Sequence, residues 1–517
     1  MLSTGVMSLI LVLLLPVALA YLRKSGRHPL PPGPWPLPLI GNLLDLPRKD
    51  DWLHWLRLGD RYGPLIFVRV LGTPMVIVNK LDMCIDMLER RSAVYSGRPL
   101  LTFAGKMVGW DRQMLLAEPD ERHRKMRRMT ARHFGTRETA AAYRSAQEDE
   151  ARLYLLAIDT RPHEIIRHIR WTVSSVFLRI SHGYKTEREG TDPLIALVAR
   201  SARDFHVAIR PGAWLVDVFP CLARLPAWLP GTGFKRVASD HRATLDTIMT
   251  APLEFVKTQM ANNEGVPSFS SRMLQSDLDE LERELLPNVS AALYAAGPDT
   301  VSAALSTFVL AMLLYPDIQR QAQDELDETF GGACIPPSDE LSSLFYLRAV
   351  VLEVLRWHTV ACINIPHFTL TSDSFESYYI PKGTAVLANL QAFAYDETHY
   401  QDPTSFKPAR FLGSSPELDP MTFAFGFGRR RCPGSGLALE LLTYFMAVTL
   451  SVFDVIKLRD QDGAEITPVP EFESGAVCPP KPFPCGLRPR SADAEALLRA
   501  LRAEHKPEAS DAAKLRL

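Results

Sequence analysis

One cysteine near the end of the chain, Cys432, lies in the stretch FAFGFGRRRCPGSG, residues 423–436. Glycines at 428 and 434 predict a tight backbone turn around it, which a flat ligand can approach closely. Three successive arginines, 429–431, make the local potential positive, which favours the thiolate over the thiol and attracts anionic groups. The pattern indicates a site where a sulfur ligand meets a flat, anionic molecule. The alternative is a buried structural cysteine in a basic loop.

The spacing around this cysteine resembles the haem-binding loop of the cytochrome P-450 family, F-x-x-G-x-R-x-C-x-G. The matching residues are Phe425, Gly428, Arg430, Cys432 and Gly434. The resemblance implies haem b (iron protoporphyrin IX) as cofactor, with Cys432 as the axial thiolate and metal ligand that favours O–O bond cleavage. It also implies that Arg430 contacts a haem propionate, that Phe425 covers the sulfur and that Gly434 admits the haem.

A second resemblance lies in the longest helical candidate, where AAGPDT, Ala295 to Thr300, is similar to the family's A-G-x-D-T. It implies that Asp299 and Thr300 are catalytic and relay protons through water to dioxygen. The alternative is a capping or surface pair, as Asp and Thr often are in helices. Pro298 has no N–H and clashes with the carbonyl of Tyr294, so we expect the helix to open there.

An acidic and two basic residues predict an ion network. Glu353 and Arg356 in EVLR are three residues apart and therefore share one helix face. They match the family's E-x-x-R, and Arg410 in FKPARF matches the arginine that completes its network. Buried arginines need carboxylate partners, so we expect this trio to support the fold without doing chemistry.

The chain departs from the family at positions that hold haem propionates. The helix with W-x-x-x-R aligns best with His123 and Arg127, so a histidine stands in place of tryptophan, and either ring can donate one N–H. Arg124 and Arg128 are alternatives to Arg127 within residues 122–128. His367 in NIPHF matches a propionate-binding position, with a structural histidine as its alternative.

Composition and periodicity predict a globular chain that is mainly α-helical with small β-sheets (α+β). The 517 residues are 47% hydrophobic and carry a formal net charge of −1, so nucleic-acid binding has no electrostatic support. The runs LIFVRV and PMVIVN predict a hairpin. The resemblance covers residues 30–490, is closest to the fungal microsomal branch, and implies the cytochrome P-450 fold for a catalytic domain at 42–490. The charged tail, 491–517, is predicted to be a solvated appendage.

The first residues predict a membrane anchor. No charged residue occurs before Arg23, and the apolar run is long enough to cross a hydrocarbon core of about 30 Å. Basic residues follow the run, which favours a retained single-pass helix within residues 1–28 and a cytosolic catalytic domain. Prolines in residues 29–41 predict a semi-rigid hinge. With the resemblance, this organisation predicts the endoplasmic reticulum membrane as the location.

The segments that the family uses to enclose substrate are largely apolar here, which predicts a hydrophobic small molecule. They are LLTFAGKMVGW, FHVAIRPGAWLVDVFP, YAAG, ACINIPH and ESGAVCP. Trp214, Phe219, Trp228 and Leu229 are predicted either to touch membrane lipid or to pack as an ordinary loop. His358 is followed by Thr359 where the family usually has H-P, which loosens a turn near the substrate.

We therefore expect a membrane-anchored monooxygenase of fungal secondary metabolism, with a terpenoid as an example of its substrate. No flavin or dinucleotide motif occurs in the chain, so electrons are expected from an NADPH-cytochrome reductase, or from a cytochrome b-type donor. The alternatives are a haem-thiolate isomerase, a peroxide-using enzyme and a haem sensor without turnover. Asp299 and Thr300 argue against the first two.

Overall fold

The computed structural model describes residues 29–47, 49–99, 101–134, 141–188, 190–210, 212–506 and 508–515. Helices dominate these ranges and the strands are short, so the fold is mainly α with small sheets, as predicted. The predicted transmembrane segment, residues 1–28, lies outside the described residues.

The α-helices are α1 (Asp51–Tyr62), α2 (Leu81–Ile85), α3 (Ser92–Tyr95), α4 (Glu121–Phe134), α5 (Arg144–Thr160), α6 (Ile165–His182), α7 (Pro193–Ile209), α8 (Leu215–Val218), α9 (Phe234–Ala261), α10 (Phe269–Gln275), α11 (Glu280–Leu314), α12 (Pro316–Phe330), α13 (Phe345–Trp357), α14 (Leu390–Ala394), α15 (Ser435–Val452) and α16 (Ala492–Glu504). The strands are β1 (Leu65–Val70), β2 (Thr73–Val78), β3 (His367–Phe368), β4 (Asp373–Phe375), β5 (Tyr378–Ile380), β6 (Ala385–Ala388), β7 (Phe453–Ile456) and β8 (Gly486–Pro489).

The chain forms two compact units. The first comprises Met1–Pro99, Ile363–Phe393 and Phe427–Arg430, and it contains a four-stranded sheet in the order β1-β2-β6-β3 and the separate pair β4-β5. The predicted hairpin is confirmed, because β1 and β2 pair antiparallel around Leu71 and Gly72. Both turn residues have positive φ, 47° and 87°, as a two-residue hairpin turn requires.

The residues predicted as a proline-rich hinge pack on this sheet. The carbonyl of Pro32 accepts the N–H of Phe67 at 2.8 Å, and that of Pro29 accepts the N–H of Tyr379 at 2.9 Å. A Cβ on Gly33 would lie 1.9 Å from the Phe67 carbonyl oxygen. The described part of this segment is therefore hydrogen-bonded to the first unit at Pro29 and Pro32, and the proposed hinge stays a prediction.

The second unit comprises Leu100–Cys362, Ala394–Gly426 and Arg431–Leu517 and is built around α11. Asp279 caps this helix: its carboxylate accepts the N–H of Glu282 at 2.8 Å, and the Glu282 carboxylate accepts the N–H of Asp279 at 3.2 Å. Every residue from 301 to 313 is buried. Helices α6, α4 and α15 pack against α11, which places the helix at the centre of the unit, as its apolar circumference predicts.

Two described helices, α11 and α15, are long and apolar enough to cross a membrane by length and composition. Most of each apolar window, 78% and 67%, is buried inside the protein. Helices that are apolar all round and already covered by protein are typical of a core. Neither helix therefore bears on the predicted anchor.

The C-terminal tail is not the solvated appendage predicted from its charge. Helix α16 buries Ala494, Leu498 and Leu501, and it packs against α5. Beyond α16, the Glu508 carboxylate pairs with Arg179. The Asp511 carboxylate accepts the N–H of Lys185 at 3.0 Å. Charged side chains give the tail its polar composition, yet its apolar positions at helical spacing bind it to the second unit.

Candidate functional site

The Cys432 loop is fixed by its own backbone. The Cys432 N–H donates to the carbonyl of Phe425 at 2.8 Å, and Arg431 donates to the carbonyl of Met421 at 2.7 Å. Cys432 is exposed, and no protein atom lies within 4 Å of where a Cβ on Gly434 would stand. The loop thus presents a positioned sulfur, with open space beside it, immediately before α15.

The two glycines around Cys432 have different roles. Gly428 has φ +51°, and a Cβ there would lie 2.2 Å from the carbonyl oxygen of Leu88. The prediction that Gly428 admits a flat ligand is therefore incomplete, because the protein's own backbone already requires glycine at this position. Gly434 alone faces open space.

The protein raises the pKa of the Cys432 thiol. The main cause is desolvation by the protein atoms packed around the loop, even though the residue keeps an exposed surface, and it outweighs the Gly434 N–H, Arg127 and Arg431, all of which lower the pKa. The predicted preference for thiolate is therefore wrong for the protein alone. Only Arg431 of the three successive arginines acts on the sulfur, since Arg429 is exposed and Arg430 donates to the carbonyl of Ser96 at 2.8 Å. A bound metal cation would favour the thiolate at this position.

Helix α4 directs one of its candidate arginines to this loop. Arg127 donates to the carbonyl of Arg431 at 2.8 Å, and burial lowers its pKa, while Cys432 acts in the opposite direction. Arg124 and Arg128 are exposed. His123 is buried, and its N–H is held at the start of the helix by the Asp120 carboxylate at 2.9 Å. Among the four candidates on this helix, the structure places Arg127 beside the Cys432 loop.

The AAGPDT segment forms an accessible stripe on an otherwise buried helix. Ala296 and Asp299 are exposed and Thr300 is half-buried. The Thr300 hydroxyl donates to the carbonyls of Ala296 at 3.2 Å and Gly297 at 3.0 Å. Helix α11 continues through Pro298, so the predicted opening is not an interruption of the helix. A polar pair thus stands on the accessible face of the core helix.

Gly297 in this segment serves helix packing. A Cβ at this position would lie 2.3 Å from the ring of Phe177 on α6. The glycine therefore lets α6 approach α11 closely, a requirement that the motif alone does not reveal.

The first unit gathers three basic side chains. Arg98 is buried and donates to the carbonyls of Ile365 at 2.9 Å and Pro366 at 2.8 Å. Burial, then the charge of Arg430, lowers the pKa of Arg98 to about 9. His367 is buried 2.8 Å from the carbonyl of Tyr95, and burial followed by the charge of Arg98 puts its pKa well below the usual range. Mutual repulsion of buried cations is costly, and an anion beside them would relieve it.

Arg98 is a site candidate that sequence reasoning missed. It lies in YSGRP, a segment that resembles the family, but its spacing carries no chemical signal. Only the fold brings it to Arg430 and His367, which are more than 200 residues away in the chain.

The predicted ion network is confirmed. Glu353 accepts from Arg356 at 2.7 and 2.8 Å and from Arg410 at 3.2 Å. The side chains of Glu353 and Arg356 are completely buried, and that of Arg410 is 3% exposed. Arg356 also donates to the carbonyls of Ala394 and Pro403. These bonds join α13 to the segment that leads towards the Cys432 loop.

Two of the segments predicted to enclose substrate lie against each other. Phe103 stacks on Trp214, with ring centroids 3.7 Å apart and planes at 7°, and its N–H donates to the Asp217 carboxylate at 2.8 Å. Trp110 packs against Phe205 with centroids 4.6 Å apart. The contacts are largely aromatic, which fits the predicted apolar ligand.

Comparison with known proteins places this geometry in a family. The family model "Cytochrome P450" matches residues 31–485. The chain is 45% identical to cytochrome P450 monooxygenase claR of Ampulloclitocybe clavipes, over 94% of this chain and 91% of that protein. It is 39% identical to cytochrome P450 monooxygenase 208 of Postia placenta, over 97% and 98%. It is also 34% identical to the O-methylsterigmatocystin oxidoreductase of Aspergillus flavus, over 95% and 93%. The chain therefore belongs to the cytochrome P450 family and is a haem b monooxygenase.

Proposed function

We propose that the protein is a membrane-anchored haem-thiolate monooxygenase of fungal secondary metabolism, which inserts one oxygen atom from dioxygen into an apolar small molecule such as a terpenoid. Electrons come from NADPH through a separate reductase. The observation that carries the proposal is the accessible Cys432 sulfur, held by the Phe425 carbonyl in a loop with the family's spacing.

Cys432 would hold the haem iron in this proposal. The open space beside Gly434 and the exposed sulfur fit a flat group at the start of α15. A bound Fe³⁺ would add the positive charge that favours the thiolate form of Cys432. Haem with a thiolate ligand supplies dioxygen activation and the transfer of one oxygen atom.

The haem propionates are assigned to basic side chains, as the family resemblance implies. Arg430 and Arg98 carry positive charge in the first unit beside the neutral His367 ring, and Arg127 lies beside Cys432 in the second. The neutral His367 ring donates through Nδ1 to the Tyr95 carbonyl, and an adjacent carboxylate would raise its pKa. His123 is buried on the helix that carries Arg127 and fills the place of the family's tryptophan.

Asp299 and Thr300 carry protons along the accessible stripe of α11. Thr300 Oγ1 donates to the helix carbonyls, which leaves its lone pairs to accept a proton donor such as water. Asp299 is exposed on the same stripe, where water can reach its carboxylate. The same hydrogen bonds suit a purely structural threonine, so only a functional measurement separates the two roles.

Membrane association is proposed to use the residues before 29 and a second contact. Phe219 is 55% and Trp228 80% exposed, as in aromatic residues at a membrane interface. Trp214 is half-buried and stacks on Phe103, so Phe219 and Trp228 are the better candidates for this contact. The location proposed is the endoplasmic reticulum, with the catalytic domain in the cytosol.

The central experiment replaces Cys432 by serine. A serine oxygen donates far less electron density than a thiolate, so the reduced carbon monoxide complex of C432S should lose its long-wavelength Soret band. C221S is the matched control, because Cys221 is also exposed and should leave the band unchanged. A folded C432S protein that kept the band would overturn the ligand assignment.

The proton path is tested by Thr300→Ala. With reductase and a substrate found by feeding terpenoid and aromatic precursors to an expressing host, product per NADPH should fall and peroxide should rise, while the haem spectrum stays intact. Relays of this kind contribute about a hundredfold or more in rate. Thr307→Ala is the control, since Thr307 donates to the Ala303 carbonyl at 3.0 Å on the buried part of the same helix. An unchanged ratio in T300A would remove Thr300 from the mechanism and favour the isomerase or sensor alternatives.

A further inference from the structure

Two buried cysteines and a histidine meet in the second unit. Cys362 follows α13 and Cys478 precedes β8, and both are buried, with 6% and 3% of their surface exposed. The Cys362 sulfur lies 3.6 Å from Nε2 of His358. The Cys478 thiol in turn hydrogen-bonds with Cys362 and with His358. The three side chains thus form one contact cluster, and its two cysteines lie in segments predicted to enclose substrate, ACINIPH and ESGAVCP.

The backbone holds the two cysteine segments together. The N–H of Cys478 donates to the carbonyl of Val360 at 2.8 Å. The His358 ring stacks on Phe472, with centroids 3.4 Å apart and planes at 15°. A disulfide requires two closely placed Cα atoms, and here a backbone hydrogen bond and a ring stack already fix both segments. The two cysteine segments are therefore held side by side.

The chemistry of the cluster differs from that of the other buried thiols. Hydrogen bonding from Cys362, and then from His358, lowers the pKa of Cys478 to about 5 against the opposing effect of burial. Burial also lowers the pKa of His358, so this ring is neutral at physiological pH and stabilises the thiolate as a hydrogen-bond partner. Cys485 is equally buried, but burial raises its pKa to about 11. Cys478 is accordingly the reactive sulfur.

Metal binding is the less suitable role. Within the part of the chain that the structure describes, no group of three or more His, Cys, Asp or Glu side chains is arranged to hold a metal ion. A thiolate in contact with a second thiol is instead the arrangement of a resolving cysteine pair.

We propose that Cys362 and Cys478 are a peroxide-sensitive dithiol that closes to a disulfide. The Cys478 thiolate attacks one oxygen of hydrogen peroxide, the O–O bond breaks, and hydroxide leaves as a sulfenic acid forms. The Cys362 sulfur then attacks the sulfenic sulfur, so that an S–S bond forms and a second water leaves. Two thiols and one peroxide thus become one disulfide and two waters, and a dithiol reductant reverses the change.

The bond would join the segment after α13 to the turn at 471–481. Gly475 shapes that turn, with φ +151°, and its carbonyl accepts the Cys478 S–H at 3.4 Å. The disulfide replaces these weak contacts by a covalent link between residues more than 100 positions apart in the chain. A reducing cytosol would keep the pair open until peroxide appears.

The test treats the full-length, haem-loaded protein with hydrogen peroxide. Free thiols are alkylated, disulfides are then reduced and labelled with a second reagent, and the peptides are identified by mass spectrometry. We expect the intact mass to fall by two hydrogen atoms, a cross-linked peptide pair containing Cys362 and Cys478, and reversal by dithiothreitol. Cys485 should react at least about tenfold more slowly. The reduced carbon monoxide spectrum monitors haem integrity throughout.

Matched variants assign the bond. C362S should abolish the cross-link and leave Cys478 as a sulfenic or sulfinic acid, whereas C485S should cross-link like the wild type. The wild-type measurement decides the matter even if C362S does not fold. Cys362 and Cys478 that stay reduced while exposed Cys221 is oxidised would overturn the proposal, as would oxidation of Cys478 without a cross-link.

Discussion

Replacing Glu353 by glutamine should destabilise the protein strongly, because one carboxylate serves four donors, three of them on buried arginines. Its oxygens accept two bonds from Arg356, one from Arg410 at 3.2 Å and the N–H of Lys407 at 2.7 Å. Glutamine keeps one oxygen and places an NH₂ group where the other accepted. At least one guanidinium donor then faces a donor, and the charges of both arginines lose their shared counterion.

The expected loss in the free energy of unfolding follows from the burial of the two arginines. Arg356 is completely buried and Arg410 nearly so, and removing one partner of a buried ion pair costs about 3–5 kcal/mol. Both arginines keep backbone carbonyl acceptors, and Arg410 keeps Glu417 at 2.5 Å. These remaining bonds should let the variant fold. The loss is nevertheless a large share of a total stability of about 5–15 kcal/mol.

The assay is urea denaturation of the haem-loaded protein, followed by far-ultraviolet circular dichroism. Glu417→Gln is the matched control, since Glu417 pairs with the same Arg410 but is 24% exposed, and its loss should cost about 1 kcal/mol. Equal losses of unfolding free energy in E353Q and E417Q would refute the argument that burial sets the cost. So would a loss below about 1 kcal/mol for E353Q.

Two further predictions concern acid stability and membrane binding. Burial lowers the pKa of His182 to about 3. Below about pH 6.5 the unfolded chain therefore binds a proton that the folded protein excludes. The free energy of unfolding then falls by about 1.4 kcal/mol for each pH unit. H182Q should flatten the pH dependence of the urea midpoint between pH 6.5 and 5, whereas H206Q, at an exposed site, should leave it unchanged. Deleting residues 1–28 should weaken membrane association in a flotation assay while haem uptake persists, with residual binding through Phe219 and Trp228. Loss of haem from the truncated protein would instead place this segment in the core.

Much of the architecture could be predicted from local spacing. Glu353 and Arg356 share a helix face because three residues make nearly one turn, and the structure pairs them as expected. The LIFVRV and PMVIVN runs pair as a hairpin because their alternation and the turn between them are local properties. The spacing around Cys432 likewise identified the family before any fold was known.

Other features depend on burial and on contacts between residues far apart in the chain, and only the tertiary structure determined these. Gly428 and Gly297 are required by Leu88 and by Phe177, neither of which their own motifs contain. The pKa of Cys432 is raised rather than lowered, because desolvation by surrounding protein atoms outweighs the nearby arginines. No short stretch of sequence encodes this desolvation.

The same reason explains the clusters that sequence analysis overlooked. Arg98 reaches His367, and Cys362 reaches Cys478, only after more than 100 intervening residues have folded between each pair. Residue types and short spacings determine which chemistry is available and on which helix face it lies, because covalent geometry sets those distances. Which groups then share a desolvated environment, and therefore what their charges do, is determined by packing across the whole chain.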